Sequence, residues 1–219
     1  MQGVTVRADT SVVWRADLAA RAAVRDSTLQ ASRPLQAIAT AANWWGGPGV
    51  IWFAAALWLG GRAMGRRAVS RAGLRAAEAL AIASAVSGII KGLGGRARPF
   101  VVPGVPWNWD FNHGWADADF FSMPSGHTTA TTAFAVGLLI ATSGWPGAAR
   151  LALTIPVLVS AAVVGWGRMY ANQHWLSDVA AAMALGTLVG VILTRAMRGA
   201  VGSRYERVML GADHTSESP

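Results

Sequence analysis

The chain contains no cysteine, so it forms no disulfide and has no thiolate to serve as nucleophile or metal ligand. Charge is scarce as well. Only 14% of its 219 residues are Asp, Glu, Lys or Arg, against about a quarter in an ordinary soluble domain. Apart from Asp178 beside His174, no acidic or histidine cluster has metal-ligand spacing, so neither a metal nor a cofactor is expected. Lysine is almost missing: Lys91 stands alone among 18 arginines. The N-terminus carries Arg7, Asp9, Arg15 and Asp17 where a cleaved signal would need an apolar core, so none is expected. No internal repeat is visible. The net charge of +8 would suit nucleic acid, but the basic residues lie in short segments between apolar runs. Membrane topology explains that pattern better, and no nucleic-acid partner is expected.

What is present is apolar: 53% of residues are hydrophobic, and charges separate long uncharged runs. The fold class this predicts is all-α, an integral membrane helical bundle of about five transmembrane helices plus N-terminal amphipathic helices. The expected spans are about 45–63, 74–92, 125–143, 149–167 and 174–195. Residues 1–44 read as an interfacial or bundle-packed segment with a disordered start, 45–195 as the membrane domain, and 196–219 as a polar tail. Gly186-x-x-x-Gly190 gives span five a small-residue face for close packing. One side of such a bundle collects Arg62, Arg66, Arg67, Arg71, Arg75, Arg150, Arg195, Arg198, Arg204 and Arg207. By the positive-inside rule that side is cytoplasmic.

The opposite side gathers chemistry at span ends. Lys91 closes span two and Arg98-Pro99 follows it; alone, Lys91 would read as a snorkelling anchor. Pro124-Ser125-Gly126-His127 opens span three, where a capped helix start offers free N–H groups to an anion. Arg168 ends span four, and His174 and Asp178 open span five, four residues apart and so on one helical face. A carboxylate on one imidazole nitrogen fixes the tautomer and leaves the other basic, which suits a nucleophilic histidine. Three fixed cations around helix-start N–H groups call for a group of about two negative charges, a phosphate. The aromatics Trp107, Trp109, Phe111 and Trp115 read as an interfacial lip, and Asp110, His113, Asp117 and Asp119 as solvated loop positions. His214 is assigned no role.

The series Lys91-x6-Arg98-Pro99, Pro124-Ser125-Gly126-His127 and Arg168-x5-His174-x3-Asp178 resembles the type 2 phosphatidic acid phosphatase (PAP2) superfamily over about residues 45–195. One departure is Gly167, where that family usually has serine; the change removes one possible phosphate hydrogen bond. The resemblance implies that His174 attacks phosphorus and becomes a phosphohistidine, with Asp178 orienting it. It implies that His127 protonates the leaving oxygen, while Lys91, Arg98, Ser125, Gly126 and Arg168 hold the phosphoryl oxygens without a metal. The implied substrate is a lipid phosphate or pyrophosphate, with undecaprenyl or another polyprenyl pyrophosphate foremost. Phosphatidate, phosphatidylglycerophosphate and a prenyl-phosphosugar remain alternatives. The expected place is a bacterial plasma membrane, with the site facing outward by the positive-inside rule and the bilayer as a partner; homo-oligomer and monomer both stay open. Outside catalysis, the same cations would suit a phosphate transporter or a silent lipid binder.

Overall fold

The computed structural model describes residues 11–197 and 208–210, and among these it is helical, with no strand. The expected disordered start and most of the polar tail, with Arg7, Asp9, Arg198, Arg204, Arg207 and His214, lie outside the described residues.

Three helices open the chain, each with a local reason to start. Ser11 caps α1 (Val12–Val24) by accepting from the Trp14 N–H, and Asp26 caps α2 (Ser27–Ala31) by accepting from Thr28 and Leu29. Pro34 sits in the first turn of α3 (Arg33–Trp44), where its missing N–H is no loss. These helices lie on the bundle. Trp14 and Asp17 of α1 are buried, Arg21 donates to the Asn172 side chain (3.0 Å), and Arg25 donates to the Tyr170 carbonyl (3.3 Å).

The first expected span is a broken helix. The turn widens over Trp45–Gly49, Gly47 leaves the helical region (φ −98°, ψ −108°), and α4 (Val50–Ala55) begins beyond Pro48. Proline removes a helical donor and its ring crowds the preceding turn, so the break falls in Gly46-Gly47-Pro48-Gly49. A second wide turn over Ala56–Gly60 leads to α5 (Gly61–Ala63).

The bundle proper is α6 (Arg67–Gly94), α7 (Gly126–Ala141), α8 (Gly147–Tyr170) and α9 (Leu176–Ala196). By length and composition α6, α8 and α9 can each cross a membrane. The α7 helix is shorter, and it forms the axis: its residues from Thr128 to Ala135 are all buried, with α6, α8 and α9 packed around it. Its threonines keep their hydrogen bonds, since Thr129 and Thr131 donate back to the carbonyls of Ser125 and His127. The small-residue face of α9 meets α7 as expected. A Cβ on Gly186 would stand 2.7 Å from the Thr129 carbonyl oxygen, so only glycine permits that approach. Outward, Ile82, Ile89, Ile155, Val159, Leu188 and Ile192 are exposed, an apolar perimeter suited to lipid. Glu78 pairs with Arg75 at 3.0 Å, the neutralisation that its place near the basic end of span two calls for.

The segment from 95 to 125 folds back over one end of the bundle. Gly95 turns it with a left-handed φ of 58°, and a Cβ there would collide with the Asp110 carbonyl oxygen at 1.7 Å. An isolated bridge between Arg96 and Trp109 then holds the fold-back, with Ala97 donating to Asn108 O (2.9 Å) and Asp110 to Gly95 O (2.8 Å).

Candidate active site

Five chain segments converge beneath that fold-back, and their centre is a carboxylate. Asp178 lies in the first turn of α9 and is fully buried. Its Oδ2 accepts from the Trp175 N–H (2.8 Å) and from Ser122 Oγ (2.6 Å), and its Oδ1 accepts from Arg96 Nη1 (2.5 Å). His174 Nδ1 lies 3.5 Å from Asp178 Oδ2 and 3.5 Å from Ser122 Oγ. With Nδ1 turned to these partners, Nε2 is the nitrogen left for chemistry.

The pairing expected between His174 and Asp178 exists, but not as two residues on one helical face. His174 precedes α9, and Trp175 at the cap is extended (φ −77°, ψ 161°). The carboxylate reaches back to cap the helix and meets the imidazole on the way. The residue spacing matched, while the geometry that produces the contact is a helix cap.

Burial pushes the His174 imidazole down to about 3, more strongly than the Asp178 hydrogen bond raises it, and the charges of Lys91 and Arg168 depress it further. The ring is therefore neutral at pH 7. Arg98 is also held below its ordinary value by burial, against the opposing pull of Asp119 and Asp178.

The cations stand around this pair. Lys91 Nζ in the last turn of α6 donates to the carbonyls of Phe121 and Ser122, both at 2.9 Å. Arg98 donates to Ala118 O (2.9 Å) and Gln173 Oε1 (2.5 Å). Arg168 donates through Nη1 to Asn43 of α3, while its buried Nε has no hydrogen-bond partner among the described residues. Ser125, the N-cap of α7, is buried, and its N–H donates to Asp178 O (3.1 Å). Gly126 lies against Lys91: a Cβ there would stand 3.5 Å from Lys91 Cε, an ordinary contact. His127 is half-buried, with Nε2 about where a side chain on Gly47 would press, at 3.2 Å.

Two cavities meet the cluster. One, of about 230 Å³, has Lys91, Gly126 and His127 at its polar end and Leu80, Ile51 and Ala130 along its apolar walls. The other, of about 540 Å³, lies beyond Arg168 and is lined by Arg25, Gln30, Gln36, Asn43 and Gln173.

Lys91, Arg98, Ser125, Gly126, His127, Arg168, His174 and Asp178, the residues assigned to the site from the sequence, all lie at this end of the bundle. Several others are there too. Ser122, Arg96, Asn43 and Gln173 hold site residues directly, and Asp17 holds Arg96; none of them has a role in the sequence analysis. Arg96 sits inside the Lys91–Arg98 motif, which was a usable signal, whereas nothing near Asp17 in the sequence points to its partners. In the outer loop His113 pairs with Asp110 (3.5 Å) and Asp117 (3.9 Å), and Trp107, Phe111 and Trp115 are exposed. Trp109 instead packs on Arg96, at 5.4 Å.

The sequence profile of the PAP2 superfamily matches residues 72–201, more than half the chain. The chain belongs to the PAP2 superfamily. A relative from Escherichia coli (strain K12), named "Putative undecaprenyl-diphosphatase YbjG", is 31% identical over 156 residues, covering 71% of this chain and 70% of that protein. No solved structure matches. As a PAP2 protein the chain is a lipid phosphatase. Its departure from the family pattern, Gly167, also has a packing reason. A Cβ there would press on Ala42 Cβ at 3.1 Å, so glycine lets α3 lie close on α8.

Proposed function

We propose that the chain hydrolyses a polyprenyl diphosphate in the membrane, through a phosphohistidine on His174 and without a metal. The observation that carries this is the neutral, buried His174 with Nδ1 held by Asp178 and Ser122 and with Lys91, Arg98 and Arg168 gathered around it. Nε2 attacks the terminal phosphorus, the P–O bond to the leaving oxygen breaks, and His127 gives that oxygen a proton. Water, losing its proton to His127, then cleaves the P–N bond and releases inorganic phosphate. The fixed cations and the Ser125–Gly126 helix start carry the charge that spreads over the phosphoryl oxygens. The apolar cavity beside Lys91 and His127 suits a hydrocarbon chain still in the bilayer, with the site on the extracytoplasmic face. The relative's name points to the same substrate class.

A second reading has its own observation. The polar cavity beyond Arg168 has room for a headgroup on the phosphate, as in phosphatidylglycerophosphate or a prenyl-phosphosugar. Phosphate release by the purified protein in detergent with EDTA separates the two. Faster turnover of farnesyl or undecaprenyl diphosphate supports the first reading, and faster turnover of a headgroup-bearing phosphate supports the second. Loss of all activity in EDTA, restored by a divalent cation, would contradict the metal-free mechanism.

Burial of His174 has a direct consequence in pH. Because its folded value lies near 3, the ring stays neutral from pH 8 to about 5. In 15N-histidine-labelled protein its two nitrogens are expected to keep neutral-imidazole shifts across that range. A titration centred near the ordinary histidine value of about 6.5 would contradict the assignment.

A further inference from the structure

We infer that Asp17, on helix α1 and outside the family-matched residues, is a positioning residue for the phosphoryl transfer, acting through Arg96 on Asp178. The inference rests on His174 being the nucleophile.

Arg96 is 1% exposed and is held on every side. Nε donates to Pro106 O (2.8 Å), Nη1 to Asp178 (2.5 Å) and Ser177 Oγ (2.8 Å), and Nη2 to Asp17 Oδ2 (2.8 Å), with Trp109 and Trp175 rings over the guanidinium. Asp17 is as buried as Arg96, and it also grips the start of α9. It accepts from the Ser177 N–H and from Ser177 Oγ, both at 2.7 Å. A residue of the N-terminal segment thus fixes the turn that carries Asp178.

The charge count gives Asp17 a chemical role as well as a mechanical one. As Nε2 bonds to phosphorus and the P–O bond breaks, the imidazole becomes cationic, with its Nδ1 proton directed at Asp178. One guanidinium shared between two carboxylates leaves the group a net negative charge to meet that cation. With Asp17 neutral, Arg96 would balance Asp178 alone and the stabilisation would shrink. Asp17 touches neither the substrate nor the reacting atoms, so the loss falls on the chemical step.

The test is steady-state hydrolysis of farnesyl diphosphate by the full-length protein in detergent with EDTA. It compares wild type, His174→Ala, Asp17→Asn, Asp17→Glu and Asp26→Asn, with a thermal midpoint for each. Asp26 caps only the exposed start of α2, and its variant is expected to match wild type. Asp17→Asn keeps the shape and removes the charge. Its kcat is expected to fall about 10–100-fold with KM within about twofold, the range seen when a partner that orients a reacting ligand is lost. A wild-type kcat in Asp17→Asn, or a loss carried by KM alone, overturns the inference. If Asp17→Asn does not fold, Asp17→Glu retains the charge at a displaced position and is expected to show reduced kcat and unchanged KM. A folded Asp17→Glu with wild-type kcat then overturns it. Absence of release by wild type overturns the phosphatase reading itself, and this inference with it.

Discussion

Replacing His174 with alanine is expected to lower phosphate release from a polyprenyl diphosphate by on the order of 10⁵-fold or more, as loss of a catalytic nucleophile does. The ring itself makes one polar contact pair, through Nδ1 to Asp178 and Ser122 at 3.5 Å, and neither is short. Asp178 keeps Arg96, Ser122 and the Trp175 N–H when the imidazole is gone, so the cluster stays satisfied and the fold should persist. Binding should persist too, because Lys91, Arg98 and Arg168 remain. The variant therefore separates an enzyme from a carrier: a phosphate transporter or silent binder would lose nothing that depends on a nucleophile. Measured phosphate release together with lipid-phosphate binding by the same preparation checks the point. Undiminished release would remove His174 from the mechanism.

The second large effect is expected at Asp178, and it has two components. Asp178→Asn replaces an acceptor-only carboxylate with an amide, so Nδ1–H of His174 loses its charged partner and the tautomer is no longer fixed. A comparable change beside a catalytic histidine costs about 10⁴-fold in kcat. Asn also strips the buried Arg96 of one of its two carboxylates, and breaking a buried ion pair on one side costs about 3–5 kcal/mol. Asp17 remains to hold Arg96, which places the expected destabilisation at the lower end of that range. The prediction is a variant with a lowered thermal midpoint and a kcat loss much larger than its loss of stability explains. Activity within about tenfold of wild type in a folded Asp178→Asn protein would contradict the orienting role assigned by the geometry.

Much of this arrangement was legible in the residues. The apolar runs gave the helices, because a bilayer demands long uncharged stretches whose backbone groups bond internally. The three motifs gave the cluster proposed as the site, because ionisable side chains at membrane depth must converge on one another. Gly46-Gly47-Pro48-Gly49 was read through as part of a span, although it holds the strongest breaker pair in that stretch. The count of hydrophobic residues hid it. The contact between His174 and Asp178 followed a spacing of four, which on a helix is a shared face and at a helix start is a cap. Spacing cannot distinguish the two. Asp17 was invisible for another reason: its partners Arg96 and Ser177 lie 79 and 160 residues away in sequence, and only the packing of α1 on α9 brings them together. Gly167 read as a lost hydroxyl, whereas its neighbours Ala39 and Ala42 show a helix approach that a larger residue would obstruct.

The central claim is the covalent step on His174, and acid-sensitive phosphohistidine is its signature. Purified protein is mixed with farnesyl diphosphate labelled at the terminal phosphate, quenched in alkali within the first turnover, digested and sequenced by mass spectrometry. The account predicts label on the peptide containing His174, absent from His174→Ala. Label on another residue, or turnover with no labelled protein at any time, would contradict it.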